Sequence, residues 1–270
     1  MKCSVAPQQN LYVTFSGNFK KTHMRVFSDI ILVLMISHSA CGQDTRQFDI
    51  KETIINDSTS IKKISDFKKI DSCFFQDNLY TVRKTCSGEW GGSVWFKNKN
   101  SGIEYSCNAT CPVVINKFNG NYIVTCTLAH LSGFSEIIEI TNPDSMDIFK
   151  LPEPRAKKRK MIYRYVGDNE SRSTKGIKQL VDSIGVLTIA SFPYNGQLYH
   201  IVTDFRKTFV TQIVNKKFVT MDTISNESLW TYDPEVIKTK DNHNIIFFTN
   251  EKVSGYIDLF DNKINVIRYK

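Results

Sequence analysis

Gly185-Val-Leu-Thr-Ile-Ala-Ser-Phe-Pro-Tyr-Asn-Gly-Gln-Leu-Tyr-His-Ile-Val-Thr203 spells out a β-hairpin. Two runs rich in β-branched and aromatic residues flank Asn195-Gly196. A two-residue hairpin turn needs positive φ at both central positions, and Asn-Gly supplies it at least cost. A third strand-type run, 208–214, follows after four residues. The same grammar recurs on both sides. Upstream, residues 69–75, the turn 76–78, residues 79–83 and residues 87–96 repeat it, as do 112–116, Asn119-Gly120, 122–126 and 132–140. Downstream come 235–238, Asp241-Asn242, 244–249 and 254–260. Helical periodicity is confined to residues 174–182, about two turns weakened by Gly176.

Turn centres at 77, 119, 195 and 241 lie 42, 76 and 46 residues apart. Two of these spacings match a four-stranded propeller blade, and the long one is close to a double step. The expectation is an all-β chain, a β-propeller of about five four-stranded blades over residues 65–270. One altered blade would fall in an irregular segment at 150–184. A β-sandwich is the alternative, since it also gives short strands at regular intervals but requires no repeat. Residues 43–64 read as a flexible linker.

Residues 1–42 read as an N-terminal extension and signal peptide. The apolar run 30–36 is too short for a membrane span but suits the core of a secretory signal, with Met24 as the functional start. Ser39-Ala40-Cys41 resembles the end of a bacterial lipobox, although His38 stands where leucine is usual. That resemblance implies lipidation at Cys41 and membrane attachment through it; cleavage beside Ala40 would instead release a secreted protein. Either route gives an exported product of the bacterial envelope. In an oxidising compartment the cysteines at 73, 86, 107, 111 and 126 permit local disulfides, with Cys107–Cys111 the first choice from spacing.

The formal charge of +8 shrinks on inspection. Residues 1–41 contribute Lys2, Lys20, Lys21 and Arg25 against Asp29, and much of the rest sits in one run at 155–160. No basic stripe with interleaved aromatics runs along the chain, so nucleic acid is not an expected partner. Nothing calls for a cofactor, and no cysteine–histidine spacing suits a metal.

No strong catalytic motif appears. Residues 87–95, Ser-Gly-Glu-Trp-Gly-Gly-Ser-Val-Trp, distantly resemble the Asp-box of sialidase-type propellers, which implies a structural turn with Trp90 presented beside it. Weak catalytic candidates are Glu89, His130, Asp204 and Asp233, the carboxylates resembling those set around the axis of propeller glycosidases. Trp90, Trp230 and Tyr232 are the candidate ligand contacts, amphipathic rings suited to a carbohydrate or a protein. Across residues 65–270 the pattern resembles secreted, uncharacterised propeller-like proteins of bacteria. The resemblance implies a binding or scaffold role toward an extracellular ligand. A carbohydrate-active hydrolase is the alternative.

Overall fold

The computed structural model describes residues 47–67, 73–157 and 160–270, and the expected leader with Met24 and Cys41 lies outside them. The described chain is all-β, with short 3-10 turns as its only helical elements. β1 (Asp49–Ile55) comes first. A sheet of β2 (Phe75–Gln76), β3 (Tyr80–Cys86), β4 (Gly92–Asn98) and β5 (Glu104–Asn108) follows, its strands in chain order. The second sheet starts with β6 (Pro112–Phe118), β7 (Asn121–Leu128) and β8 (Phe134–Ile140). After a small hairpin of β9 (Arg155–Lys157) and β10 (Lys160–Ile162), β11 (Ile177–Ile184) returns to complete it beside β8. β12 (Leu187–Tyr194), β13 (Gln197–Thr203), β14 (Thr208–Val214) and β15 (Lys217–Ser225) make the third sheet. β16 (Val236–Lys238), β17 (Asn244–Thr249), β18 (Ser254–Phe260) and β19 (Lys263–Tyr269) make the last, and β1 joins its far edge parallel to β19.

The hairpins at Asn119-Gly120 and Asn195-Gly196 form as their sequences require, with φ of 49° and 83° at the first and 47° and 71° at the second. Three expectations are corrected. Residues 150–184 are not a separate blade: they hold a two-stranded hairpin and the outer strand of the second sheet. The helical stretch 174–182 is therefore mostly β11. Lys178 and Gln179 reach across to Glu139 and Glu136 on β8, at 2.9 and 2.7 Å, so cross-strand polar pairs overrode a weak helical pattern. The linker contains β1, whose Asp, Lys and Glu side chains hide the strand signal because most of its residues stay exposed.

The disulfide is also corrected. Cys111 bonds Cys86, with Cα atoms 4.4 Å apart, and Cys107 is a free, buried thiol. Position along the strands explains the choice. Cys107 sits opposite Val94 with its side chain in the core. Cys86 pairs with Gly92, and a Cβ on Gly92 would lie 2.7 Å from the backbone of Ala109 and of Cys111. The bare glycine lets the 109–111 loop pass close enough to Cys86 for the bond.

Apolar clusters lie between successive sheets. The largest joins the third and last sheets through Ile189, Ile201, Phe248 and Ile257, and includes Phe48 from just before β1. A second joins the first two sheets through Val82, Phe96, Ile115 and Ile138. Between the second and third sheets the contact is partly polar. Asn116 donates to the Ser191 carbonyl at 3.0 Å, and Thr125 and Ser191 hydroxyls lie 2.5 Å apart. The Ser191 hydroxyl meets His200 Nδ1 at 2.7 Å. The last sheet adds Lys238, which donates to the Ile115 carbonyl at 3.2 Å.

Burial pushes the His200 imidazole down to about 3, so it is neutral in the folded protein at ordinary pH. Unfolded, it titrates near about 6.5. Below that value the unfolded chain takes up a proton that the folded chain refuses, so stability is full above about 6.5 and lost as pH falls toward 3. We predict a contribution on the order of 1.4 kcal/mol per pH unit in that window. Denaturant midpoints at pH 7, 6 and 5 should fall more steeply for the natural chain than for His200→Gln, and parallel curves would refute the assignment.

Candidate functional site

The site is built on connections between second and third strands. These are 87–91 in the first sheet, 129–133 in the second, 204–207 in the third and 250–253 in the last. A chain of contacts links the first three to the segment 226–232 before β16. His130 Nδ1 lies 3.7 Å from Glu89 Oε2, joining the first two loops. A Cβ on Gly133 would stand 2.6 Å from the Phe205 ring, so the second loop abuts the third. Phe205 meets Trp230 edge-on with centroids 5.7 Å apart, and Trp230 meets Tyr232 the same way at 5.0 Å.

Phe205, Trp230 and Tyr232 border an open cleft of about 530 Å³, whose other walls include Arg206, Asn226, Glu227 and Lys252. Trp230 packs against the largest core cluster, and its carbonyl accepts from Thr249 N at 3.1 Å. Tyr232 is 73% exposed. Two residues on the linked loops hold bulky apolar side chains at left-handed backbone angles, Leu131 with φ 52° and Phe205 with φ 64°. Such residues seldom adopt that geometry, and it concentrates at functional loops. Leu131 is 91% exposed.

The expected residues divide sharply. Trp230 and Tyr232 share the cleft, whereas Trp90, 52% exposed, is absent from its lining and lies in the first loop. Arg172 donates to the Trp90 carbonyl at 3.2 Å. Glu89 and His130 meet at the surface. Asp204 has a turn-forming job: its Oδ1 accepts from Arg206 N at 2.9 Å and Lys207 N at 2.7 Å. Burial pushes its pKa up, but those backbone bonds more than compensate and hold it below the usual carboxylate range. Asp233 is exposed beside the buried Pro234. The Asp-box-like stretch is structural as far as Ser87, Ser93 and Trp95 are concerned. Ser87 and Ser93 hydroxyls donate to the buried Glu170 at 2.6 and 2.8 Å, and the Arg83 guanidinium lies 4.0 Å from the buried Trp95 ring centroid.

Phe205 and Glu227 were missed by sequence reasoning. Placing the third loop on the second sets Phe205 beside Leu131, two bulky apolar residues in short turns, so a signal existed for the first. Glu227 carried none. It becomes visible only because Arg268, at the far end of the chain, donates through Nη1 to its Oε2. Among the described residues no group of three or more His, Cys, Asp or Glu side chains is arranged to hold a metal ion.

Gly133 is the tightest joint in this chain of contacts. Its φ is +78°, and any Cβ collides with Phe205. Gly133→Ala is expected to cost about 1–3 kcal/mol of stability and to change the tryptophan emission as Phe205 leaves the edge of Trp230. An unaltered unfolding midpoint and spectrum would show that the loops are not coupled there.

Comparison of the chain with protein-family models, with curated proteins and with solved structures finds no match.

Proposed function

We propose that the chain is an exported binding module in which the four sheets act as blades of a small propeller and the linked loops form its binding face. The architectural part is supported by strand order, which follows the chain from β12 to β15 and repeats in the first sheet, and by apolar clusters between successive sheets. Lys238 of the last sheet reaching β6 of the second is consistent with inner strands gathered about a common axis. Radial packing would bury both faces of each sheet without long free edges. Export is supported by the Cys86–Cys111 bond, which persists best in an oxidising compartment.

The single observation that carries the binding role is the cleft. Trp230 and Tyr232 converge with Phe205 on one open concavity, with Trp230 anchored on the largest core cluster behind it. An aromatic corner set among polar side chains supplies both kinds of contact that a ligand seat uses. None of the expected carboxylates Glu89, Asp204 and Asp233 lines this cleft, and Asp204 serves its own turn, so they give the hydrolase reading no support.

Screening the full chain against a glycan array and a displayed random-peptide library should yield binders that Tyr232→Ala or Trp230→Ala weakens and Tyr194→Ala preserves. Binders insensitive to both cleft substitutions would remove the cleft from the function. Separately, residues 1–46 fused to alkaline phosphatase, which is active only where its disulfides form, should give active enzyme in a bacterial host. An inactive fusion with normal expression would defeat the export reading.

A further inference from the structure

We infer that the Trp230–Tyr232 cleft takes an uncharged saccharide, seated on the aromatic corner and held through its hydroxyls by a Glu227 carboxylate that Arg268 keeps in position. This rests on the reading of the cleft as the binding face and names its ligand class.

Glu227 is fixed at three points. Its N–H donates to Ser225 Oγ at 3.0 Å, its carbonyl accepts from Thr208 Oγ1 at 3.0 Å, and Arg268 holds carboxylate oxygen Oε2. Arg268 is itself buried on β19. Its Nε lies 2.6 Å from Glu52 Oε1 on β1, and its Nη2 donates to Ser225 Oγ at 2.8 Å. Desolvating a guanidinium is expensive, and apolar packing in its place would serve stability as well or better. What the arrangement secures is direction: an otherwise mobile, largely exposed glutamate is held at the cleft wall as a pre-set acceptor. Asn250, by contrast, is absorbed by its own loop, donating to the Ser228 carbonyl and accepting from Lys252 N and Val253 N.

The chemistry of the walls selects among ligands. Glu227 and Glu251 face a cleft that also holds Arg206 and Lys252, so neither an anion nor a cation meets a single-signed field. The cleft is open and its polar groups are many, which poorly suits an apolar side chain that must shed its water. A pyranose presents one apolar C–H face and a rim of hydroxyls. The 75° angle between the Trp230 and Tyr232 rings offers a face to the first, and Glu227 an acceptor to the second.

The test titrates the full chain with the hexasaccharides of β-linked glucose, xylose, mannose and N-acetylglucosamine, following tryptophan fluorescence. At least one should give a saturable change with a dissociation constant below about 10 mM, within the millimolar range of weak but specific binding. Glu227→Gln and Tyr232→Ala, both at exposed side chains, should each weaken it roughly tenfold, the effect of losing one good hydrogen bond or contact. Circular dichroism should show both variants folded. A saccharide response that either substitution leaves unchanged overturns the assignment. If no saccharide responds while the display library yields a Tyr232-dependent peptide, the saccharide is wrong and the binding face stands. If neither screen yields a Tyr232-dependent binder, both fall.

Discussion

The second and third sheets meet through a contact that is partly polar, and the alignment of both depends on it. Asn116 and Thr125 of the second sheet bond Ser191 of the third, Ser191 in turn meets His200, and Lys238 ties in the last sheet. Apolar packing is tolerant of small slips, whereas buried donors and acceptors leave unsatisfied groups if the register shifts. The seam therefore sets how β6, β7 and β12 align, and the loops at the ends of those strands inherit their spacing from it. His200 takes part only as the neutral ring, so the junction depends on a side chain that the interior keeps unprotonated.

The loop end shows how a surface can be made specific without regular structure of its own. The first loop is anchored below by the Cys86–Cys111 bond and by Glu170, which gathers the hydroxyls of Thr85, Ser87 and Ser93. Glu170 belongs to the long insertion between β8 and β11, so the irregular segment earns its place by bracing a neighbouring sheet. The third loop is set by Asp204 and by the contact of Phe205 with Gly133. Side chains on such supports hold their positions more closely than those on free loops, which suits recognition.

Legibility in the sequence tracked how local the cause was. The hairpins at Asn119 and Asn195 were plain because the turn chemistry lies in two adjacent residues. Trp230 and Tyr232 were marked out by residue type, and they reached a common cleft because they are two apart in one segment. β1 was hidden because its pairing with β19 spans nearly the whole chain and its exposed residues carry no alternation. β11 was hidden because its partner β8 lies across the insertion, so the repeat was stretched to a spacing that mimicked a missing unit. The disulfide was misassigned because sequence proximity favoured Cys107, whereas the cross-strand register sets that thiol opposite Val94 in the core and brings the connection holding Cys111 past Gly92 to Cys86. Glu227 had no local signal at all; only Arg268, 41 residues on, singles it out.

The parallel pairing of β1 with β19 has a mechanical side. Seven residue pairs run in register from Asp49 with Lys263 to Ile55 with Tyr269. A tether pulling on the chain from the N-terminal side of Asp49 draws β1 along its own axis. The hydrogen bonds to β19 are then loaded together in shear, rather than peeled one after another. Phe48, wedged among Phe192, Tyr194 and Tyr199, and the ion pair of Arg268 with Glu52 add side-chain catches along the same line. The strand that a reader of the sequence would pass over as slack is thus where the fold takes up tension, and the pairing that carries it ends one residue from the arginine that orients Glu227.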